Sequence, residues 1–352
     1  MKILVTGVAG FIASKVMDLL LTRGDEVVGI DNINDYYDQR LKYGRLKELG
    51  FVYMPQVMGQ VKDNIPFGVE MQSFKYPHGR FIRMSLEDKD ALEKLFQREH
   101  FDKVINLAAQ AGVRYSITNP YSYLQSNLVG FLNILEGCRH YDVSHLVYAS
   151  SSSVYGLNAK VPYSEDDKVD NPVSLYAATK KSNELMAHSY SKLYGIKTTG
   201  LRFFTVYGPW GRPDMSPMLF ANAIMHDEPI KVFNNGDMIR DFTYIDDIAE
   251  GTICALDHEP VAEQCPNGVP YKVYNIGCSN PVKLMDFISE IECACGKEAK
   301  KQFLPMQSGD VYQTNADTTK LETDCGYKPH ITLHEGISRF MEWYKSDSNP
   351  LR

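Results

Sequence analysis

Short apolar runs alternate with amphipathic stretches through the first half of the chain. The runs predicted to be strands are Ile3-Val5, Val27-Ile30, Phe81-Ile82, Lys103-Leu107, Leu146-Ala149 and Thr198-Phe203. Helical periodicity covers 11–23, 87–99, 119–140 and 174–194. This alternation predicts an α/β fold with a doubly wound (Rossmann) parallel sheet. Since ligands bind such sheets at the carboxyl ends of the strands, residues that follow strands are the candidates for chemistry.

The regular alternation ends near residue 204. We therefore predict a cofactor-binding domain over 1–204, with parts of 241–277 folding back onto it, and a smaller mixed α/β substrate-binding domain over 205–352. Residues 52–79 are weakly periodic and contain three prolines. A loop of that length is usually functional or mobile, so this stretch is predicted to be an inserted loop, either a lid or a passive surface loop.

Composition narrows the class of protein. A net charge of −7 argues against a nucleic-acid partner, and no apolar run approaches the roughly 20 residues that span a bilayer. The first strand reaches Gly7 too early for a signal peptide, which favours a cytoplasmic protein. The seven cysteines are scattered, and only Cys293 and Cys295 are close in sequence, so we expect reduced thiols and no metal site.

A glycine turn follows the first strand. Gly7-Val-Ala-Gly10 precedes a helix, and such glycines let backbone N–H groups approach a pyrophosphate. Asp31 ends the second strand about 20 residues later, where a carboxylate accepts both ribose hydroxyls and repels a 2′-phosphate; this favours NAD over NADP. The predicted cofactor contacts along these strand ends are Gly7, Gly10, Phe11, Ile12, Asp31, Asn32, Leu107, Ala108 and Ala109.

The Tyr176 phenol and the Lys180 ammonium are four residues apart and share one face of the predicted helix. Tyrosine has a pKa of about 10, too high for a base at neutral pH. We expect the nearby cation to lower the pKa of Tyr176 towards the range of a general base. A serine cluster, Ser150 to Ser153, follows the fifth predicted strand.

Several motifs together resemble the extended short-chain dehydrogenase/reductases, and within them the NAD-dependent nucleotide-sugar epimerases, above all the UDP-glucuronate 4-epimerases. The motifs are Gly7-x-x-Gly10, Asp35-Tyr-Tyr-Asp38 with Leu41-Lys42, Asn106-Leu-Ala-Ala109, Gln110-Ala-Gly-Val-Arg114-Tyr-Ser, Ser150-Ser-Ser-Ser-Val-Tyr-Gly156, Tyr176-x-x-x-Lys180, Thr205-Val-Tyr-Gly-Pro-Trp-Gly-Arg-Pro-Asp-Met215, Arg240-Asp-Phe-Thr-Tyr-Ile-Asp-Asp247 and Gly309-Asp310-Val. Three features depart from the family pattern: Ala13 at the third glycine position, Met84-Ser85-Leu86 where an acid usually approaches the adenine, and the 52–79 insertion.

The resemblance implies that NAD is a bound cofactor and that UDP-glucuronate and UDP-galacturonate interconvert through a 4-keto sugar. It implies a catalytic set of Tyr176, Lys180 and Ser151, in which Tyr176 and Lys180 also contact the cofactor. It also implies a homodimer formed through the helices near 119–140 and 174–194. The substrate contacts that it suggests are Ser151, Ser152, Ser153, Arg114, Thr205, Arg212, Phe233, Arg240 and Asp310, with Thr314 near the sugar C2 substituent.

Ser152 and Ser153 separate this chain from related chemistries. Similar 4,6-dehydratases carry Asp-Glu at these two positions, and UDP-glucuronate decarboxylases carry a glutamate at the second. Serine offers neither acid nor base at neutral pH, which disfavours both reactions. Two alternatives stay open: a 4-epimerase of neutral UDP-hexoses such as UDP-glucose or UDP-N-acetylglucosamine, and a non-catalytic NAD sensor.

Overall fold

The computed structural model describes residues 1–53, 65–307 and 311–352. Asp310 and residues 54–64 of the predicted insertion lie outside the described part. The strands are β1 Lys2–Thr6, β2 Glu26–Asp31, β3 Glu70–Gln72, β4 Gly79–Arg83, β5 Lys103–Asn106, β6 His145–Ser151, β7 Lys197–Phe203, β8 Thr205–Tyr207, β9 Pro229–Val232, β10 Ile239–Tyr244, β11 Tyr271–Ile276, β12 Pro281–Lys283 and β13 Lys300–Phe303.

The α-helices surround these strands. They are α1 Phe11–Arg23, α2 Gln39–Glu48, α3 Lys89–Glu99, α4 Tyr115–Thr118, α5 Pro120–Tyr123, α6 Gly130–His140, α7 Leu175–Tyr194, α8 Ser216–Met225, α9 Ile245–Asp257, α10 Leu284–Cys295, α11 Thr319–Cys325 and α12 Leu333–Lys345. Among the described residues, no helix has both the length and the apolar character needed to cross a membrane.

The main sheet has eight strands in the order β11-β7-β6-β5-β1-β2-β4-β3. All neighbours pair in parallel except β3, which runs antiparallel to β4 at the edge. In the centre, Val5 pairs with Gly29 on β2 and with Ile105 on β5. The predicted parallel α/β sheet is confirmed.

Successive residues of β1 face opposite sides of the sheet. Ile3 and Val5 pack with buried side chains of α1 and α9, whereas Leu4 packs with those of α3 and α6. Helices cover both faces, which is why the central strands are apolar at almost every position.

The smaller elements after β7 form a three-stranded sheet, β12-β10-β8, and a two-stranded sheet, β13-β9. Their core joins that of one face of the main sheet, with Phe242 and Phe287 stacked at 3.9 Å between ring centroids. Because β11 returns to the main sheet beside β7, chain order and spatial order differ here. The boundary near residue 204 stays a prediction.

Two local predictions need correction. Residues 70–72, placed within the 52–79 loop, form the edge strand β3, and Met71 pairs with Phe81. The helix predicted over 119–140 is α5, one π-helical stretch at Leu124–Val129 and then α6. Sequence analysis did not predict α2, because most of its residues are polar or charged. Its buried residues are Leu41, Lys42, Arg45 and Leu46. A role of the 52–79 segment as a lid stays a prediction.

Candidate functional site

A cleft of about 1000 Å³ opens at the carboxyl ends of β1, β2, β5 and β6, between the main sheet and the elements after β7. Its lining contains every predicted site residue that the structure describes. These are Gly7, Gly10, Phe11, Ile12, Asp31, Asn32, Leu107, Ala108, Ala109, Arg114, Ser151, Ser152, Ser153, Tyr176, Lys180, Thr205, Arg212, Phe233, Arg240 and Thr314.

The turn between β1 and α1 leaves no room for a side chain at Gly7 or Gly10. Gly7 has φ +79°, and a Cβ there would lie 2.9 Å from both Cα and N of Ala108. Gly10 is the N-cap of α1 and has no side chain to bond the helix N–H groups. Since the first N–H groups of a helix lack intrahelical acceptors, this end is suited to an anion such as a pyrophosphate. Ala13 is buried in the core, so the methyl at the third glycine position is accommodated.

Asp31 is fixed at the end of β2 by two backbone donors. Its Oδ2 accepts from Ala9 N at 3.1 Å and its Oδ1 from Ile33 N at 2.7 Å. A carboxylate has about four acceptor positions, so two remain for ribose hydroxyls. With the glycine turn, this geometry fits NAD.

Lys42 is a cleft residue to which sequence analysis gave no role. Its Nζ is buried and donates to Asn34 O at 2.7 Å and Asn34 Oδ1 at 2.5 Å. Burial lowers the pKa of Lys42 to about 8, against the opposing charge of Asp31. The lysine therefore adds positive charge to the wall that carries Asp31.

The Met84-Ser85-Leu86 departure lies at the same end of the cleft. Met84 and Leu86 line it, and Ser85 Oγ accepts a long hydrogen bond of 3.4 Å from Asn32. Neighbouring Glu87 accepts from Ser126 at 2.6 Å. The Met84-Ser85-Leu86 segment stands where the resemblance leads us to expect an acidic contact to the adenine.

Ser151, Tyr176 and Lys180 meet where β6 ends and α7 begins. Helix α7 starts because Ser174 Oγ accepts from Ala177 N at 3.1 Å, and this places Tyr176 in the first turn, facing the cleft. Lys180 Nζ, one turn later, donates to Ala149 O of β6 at 2.8 Å. Ser151 Oγ, at the end of the same strand, lies 3.2 Å from Ser153 Oγ.

The electrostatics of Tyr176 differ from the expectation. Burial raises the pKa of Tyr176, and this outweighs the lowering by the Ser151 hydroxyl and the Arg212 charge. Burial also lowers the pKa of Lys180 to about 8. The prediction that Lys180 lowers the pKa of Tyr176 below its usual value is therefore wrong for the protein's own groups. Removal of the phenolate from water destabilises it more than Ser151 and Arg212 stabilise it.

Four further predicted substrate contacts also line the cleft: Arg114, Phe233, Arg240 and Thr314. Arg240 donates to Val311 O at 2.6 Å and to Tyr312 O at 3.0 Å, which ties it to the chain just after the undescribed segment. The Arg114 guanidinium lies 5.5 Å from the Phe233 ring centroid. Thr314 Oγ1 accepts from the backbone at 3.3 Å.

Arg212 belongs to a group that sequence analysis did not recognise. It forms a two-pronged ion pair with Asp214, at 3.0 Å from Nε and 2.6 Å from Nη2. Tyr36 O–H also donates to Asp214, at 2.9 Å. Tyr36 and Asp214 both belong to motifs that carry the family resemblance, but they are 178 residues apart. Nothing in the sequence shows that they pair.

Arg45 is a fully buried cation behind the cleft. One guanidinium nitrogen donates to Ala9 O at 2.8 Å and to Tyr37 Oη at 2.6 Å. The other two donate to Trp210 O at 3.1 and 2.6 Å. The same side chain thus holds the glycine turn and the Gly-Pro-Trp-Gly segment.

Comparison with known proteins gives a consistent result. Residues 3–277 match the NAD dependent epimerase/dehydratase family. A probable UDP-glucuronate 4-epimerase of Rhizobium meliloti is 43% identical over 98% of this chain and 97% of its own length. UDP-glucuronate 4-epimerase 4 of Arabidopsis thaliana is 42% identical over 98% of this chain and 75% of its own.

The fold comparison agrees with the sequence relatives. The crystal structure of UDP-glucuronic acid 4-epimerase from Bacillus cereus, in complex with UDP-glucuronic acid and NAD, matches with a TM-score of 0.83 and 34% identity. The match covers 98% of this chain and 99% of that one. The motif resemblance is confirmed: this chain belongs to the NAD dependent epimerase/dehydratase family, alongside the UDP-glucuronate 4-epimerases.

Proposed function

We propose that the protein is an NAD-dependent UDP-glucuronate 4-epimerase, an isomerase that interconverts UDP-glucuronate and UDP-galacturonate. The observation that carries this proposal is the convergence of Ser151, Tyr176 and Lys180 on one cleft with the glycine turn and Asp31. Relatives named for this activity match nearly the whole chain.

We assign NAD to the wall formed by β1, β2 and α1. Gly7 and Gly10 would admit the pyrophosphate, and Asp31 would accept the ribose hydroxyls. Lys180 of α7 would hold the second ribose beside Tyr176. When bound, NAD supplies the acceptor and donor of hydride at sugar C4 and a positive ring that favours the Tyr176 phenolate.

The chain's own groups handle the proton. Tyr176 takes the proton of the sugar 4-hydroxyl and returns it after the 4-keto sugar has turned in the cleft. Ser151 would share a hydrogen bond with the 4-oxygen. Its hydroxyl lies within hydrogen-bond reach of the Tyr176 phenol and lowers the pKa of that phenol, which places both groups beside the same atom. Proton transfer by a positioned side chain contributes typically about 10²–10⁴-fold to rate.

The lining also bears on the related reactions. Among the lining residues that the structure describes, the carboxylates are Asp31, Glu87, Asp214 and Glu228, and none of them bonds to Ser151 or Tyr176. A dehydratase needs an extra acid and base beside the reacting carbons. This supports epimerisation without elimination of water.

The direct test is incubation of the purified protein with UDP-glucuronate, UDP-glucose and UDP-N-acetylglucosamine, followed by separation of the epimers. We expect the uronates to interconvert far faster than the neutral sugars, because a site that hydrogen-bonds a group discriminates strongly against analogues that lack it. Faster conversion of the neutral sugars would refute the uronate assignment and retain the epimerase. Pentose as the main product would instead indicate a decarboxylase.

Thr205→Val tests how the carboxylate is held. We propose that Thr205, with Ser152 and Ser153, donates to the C6 carboxylate. Loss of one donor should weaken uronate use by about 1–3 kcal/mol and release some decarboxylated pentose. Thr314→Val is the matched control, since a contact near C2 should affect uronates and hexoses equally. Equal losses for both sugar classes in Thr205→Val would exclude the C6 contact.

We further propose a homodimer formed by the predicted helices. Exposed apolar side chains lie on α7 and around the start of α6: Leu185, Leu193, Tyr194, Val129 and Leu132. Light scattering at micromolar concentration is expected to return twice the chain mass of 39.9 kDa. Leu185→Glu should shift the mass towards the monomer, and Val261→Glu, exposed elsewhere, should not. A monomer mass for the unaltered protein would refute the dimer. The cytoplasmic location stays a prediction.

A further inference from the structure

A thiol–imidazole cluster lies outside the cleft, at the junction of α9 and α11. Cys254 is in the last turn of α9, His258 caps that helix, and Cys325 ends α11. The two sulfurs and a ring nitrogen all lie within 4.8 Å of one another. None of the three residues lines the cleft, so the proposed epimerase does not use them.

The spacing is close to that of a metal centre. Cys254 Sγ lies 4.0 Å from His258 Nδ1, whereas ligands at about 2.1–2.3 Å around a tetrahedral zinc ion are about 3.5–3.8 Å apart. The residues differ in exposure as such a site requires: Cys325 is 9% exposed, Cys254 is half-buried and His258 is exposed. An ion can therefore enter from solvent and reach both sulfurs.

We propose that Cys254, His258 and Cys325 form a binding site for a thiophilic divalent cation of the zinc class. Two thiolates and one imidazole match the ligand preference of zinc, and three protein ligands leave one position for water. On binding, each thiol gives up its proton to solvent as its sulfur–metal bond forms, so the site becomes neutral overall.

Two ion-paired carboxylates flank the site. The negative charge of Asp257 acts on the Cys254 thiol, and that of Asp324 acts on Cys325 and His258. Asp257 is ion-paired with Arg23 and Asp324 with Lys272, so the charges beside the site are balanced. The Cys254 thiol bonds to Cys325 O at 2.7 Å, so α9 and α11 already meet here. The metal would join two helices that are 71 residues apart in the chain.

The probe is zinc itself, added to the purified untagged and fully reduced protein. Titration against a chromophoric chelator should give one tight site per chain. Cobalt in its place should show the absorption of a thiolate–cobalt bond. Zinc should also raise the unfolding temperature, because a ligand that binds only the native state stabilises it.

Variants distinguish zinc binding at this cluster from non-specific zinc binding elsewhere on the protein. His258→Gln changes an exposed side chain, so folding should be retained. Zinc affinity should fall by at least about tenfold, because substitution of a residue that only contacts a metal ligand already costs about 10–100-fold. Cys254→Ser should also abolish the thiolate–cobalt absorption. Cys293→Ser, an exposed cysteine outside the cluster, is the matched control and should bind zinc normally. Unchanged affinity in His258→Gln and Cys254→Ser, or no tight site in the unaltered protein, would overturn the proposal.

Discussion

Replacing Tyr176 with phenylalanine is expected to lower kcat by at least about 10²-fold while NAD remains bound. The substitution keeps the ring, which packs against Tyr123 at 6.1 Å between centroids, and removes only the ionisable oxygen. The measurement is the steady-state rate of UDP-glucuronate epimerisation, with NAD content determined on the same preparation.

Tyr115→Phe is the matched control. Its phenol lines the same cleft but accepts a hydrogen bond from Asn119 at 2.8 Å. Activity in that variant should stay within a few-fold of the unaltered protein. Near-normal turnover in Tyr176→Phe would remove Tyr176 from the proton transfer, and loss of NAD would show a binding role instead.

The pH dependence of kcat tests the ionisation of Tyr176 independently of the substitution. Since burial raises the pKa of Tyr176 and the proposed base is the phenolate, kcat of the unaltered enzyme should rise with pH until the phenol is ionised in the complex. A profile with no basic-side rise would indicate that the phenolate is already formed at neutral pH once the cofactor is in place.

Glu184→Gln is expected to destabilise the protein by about 3–5 kcal/mol, because it leaves a buried guanidinium without its counter-charge. Glu184 of α7 and Arg202 of β7 are both buried and pair at 2.8 and 2.9 Å. Ser150 donates to the same carboxylate at 2.7 Å. Glu184 therefore joins the helix that carries Tyr176 to β7 through Arg202, and to β6, which ends at Ser151, through Ser150. Urea unfolding measures the difference.

Asp166→Asn is the control for charge alone. Asp166 is exposed and pairs with Lys320 at 2.6 Å, so its loss should cost no more than about 1 kcal/mol. A cost as small for Glu184→Gln would show that the buried pair does not stabilise the fold.

Protonation of Glu184 in acid should remove the stabilisation that its ion pair with Arg202 provides. Burial raises the pKa of Glu184, but the hydrogen bond and charge of Arg202 outweigh it, and the pKa ends below the ordinary value. A carboxyl whose folded pKa is lowered contributes stability above its unfolded pKa of about 4.3 and loses it as pH falls through the folded value. The unaltered protein should therefore lose more stability than Glu184→Gln between neutral pH and strong acid.

Local signals predicted the sheet and the helix that carries the catalytic pair. Helix α7 begins after Ser174 and ends before Gly195, which has φ +72°. Both residues are recognisable in sequence, because capping is a property of neighbours in the chain. Gly7, Asp31 and Ala108 share one cleft because each lies at or just after the end of a strand of the main sheet, and parallel strands end at one edge.

What escaped prediction depends on contacts between distant segments. The Tyr36–Asp214 bond and the packing of Arg45 against Trp210 join residues far apart in the chain. The cysteines were read by spacing alone, which singled out Cys293 and Cys295 and passed over Cys254 and Cys325. Local periodicity also cannot reveal α2, since Leu41 and Leu46 are its only buried apolar residues.

The hydrogen bonds of Arg45 bear on how ligands enter. Its guanidinium holds Ala9 O of the glycine turn and Trp210 O of the facing wall. Hydrogen bonds to a charged group contribute about 1.5–3 kcal/mol each, so a hinge that separated the walls would break several of them and strand a buried cation. We therefore expect the glycine turn and the Gly-Pro-Trp-Gly segment to move as one unit during ligand exchange, so that release of a sugar nucleotide need not loosen the dinucleotide site.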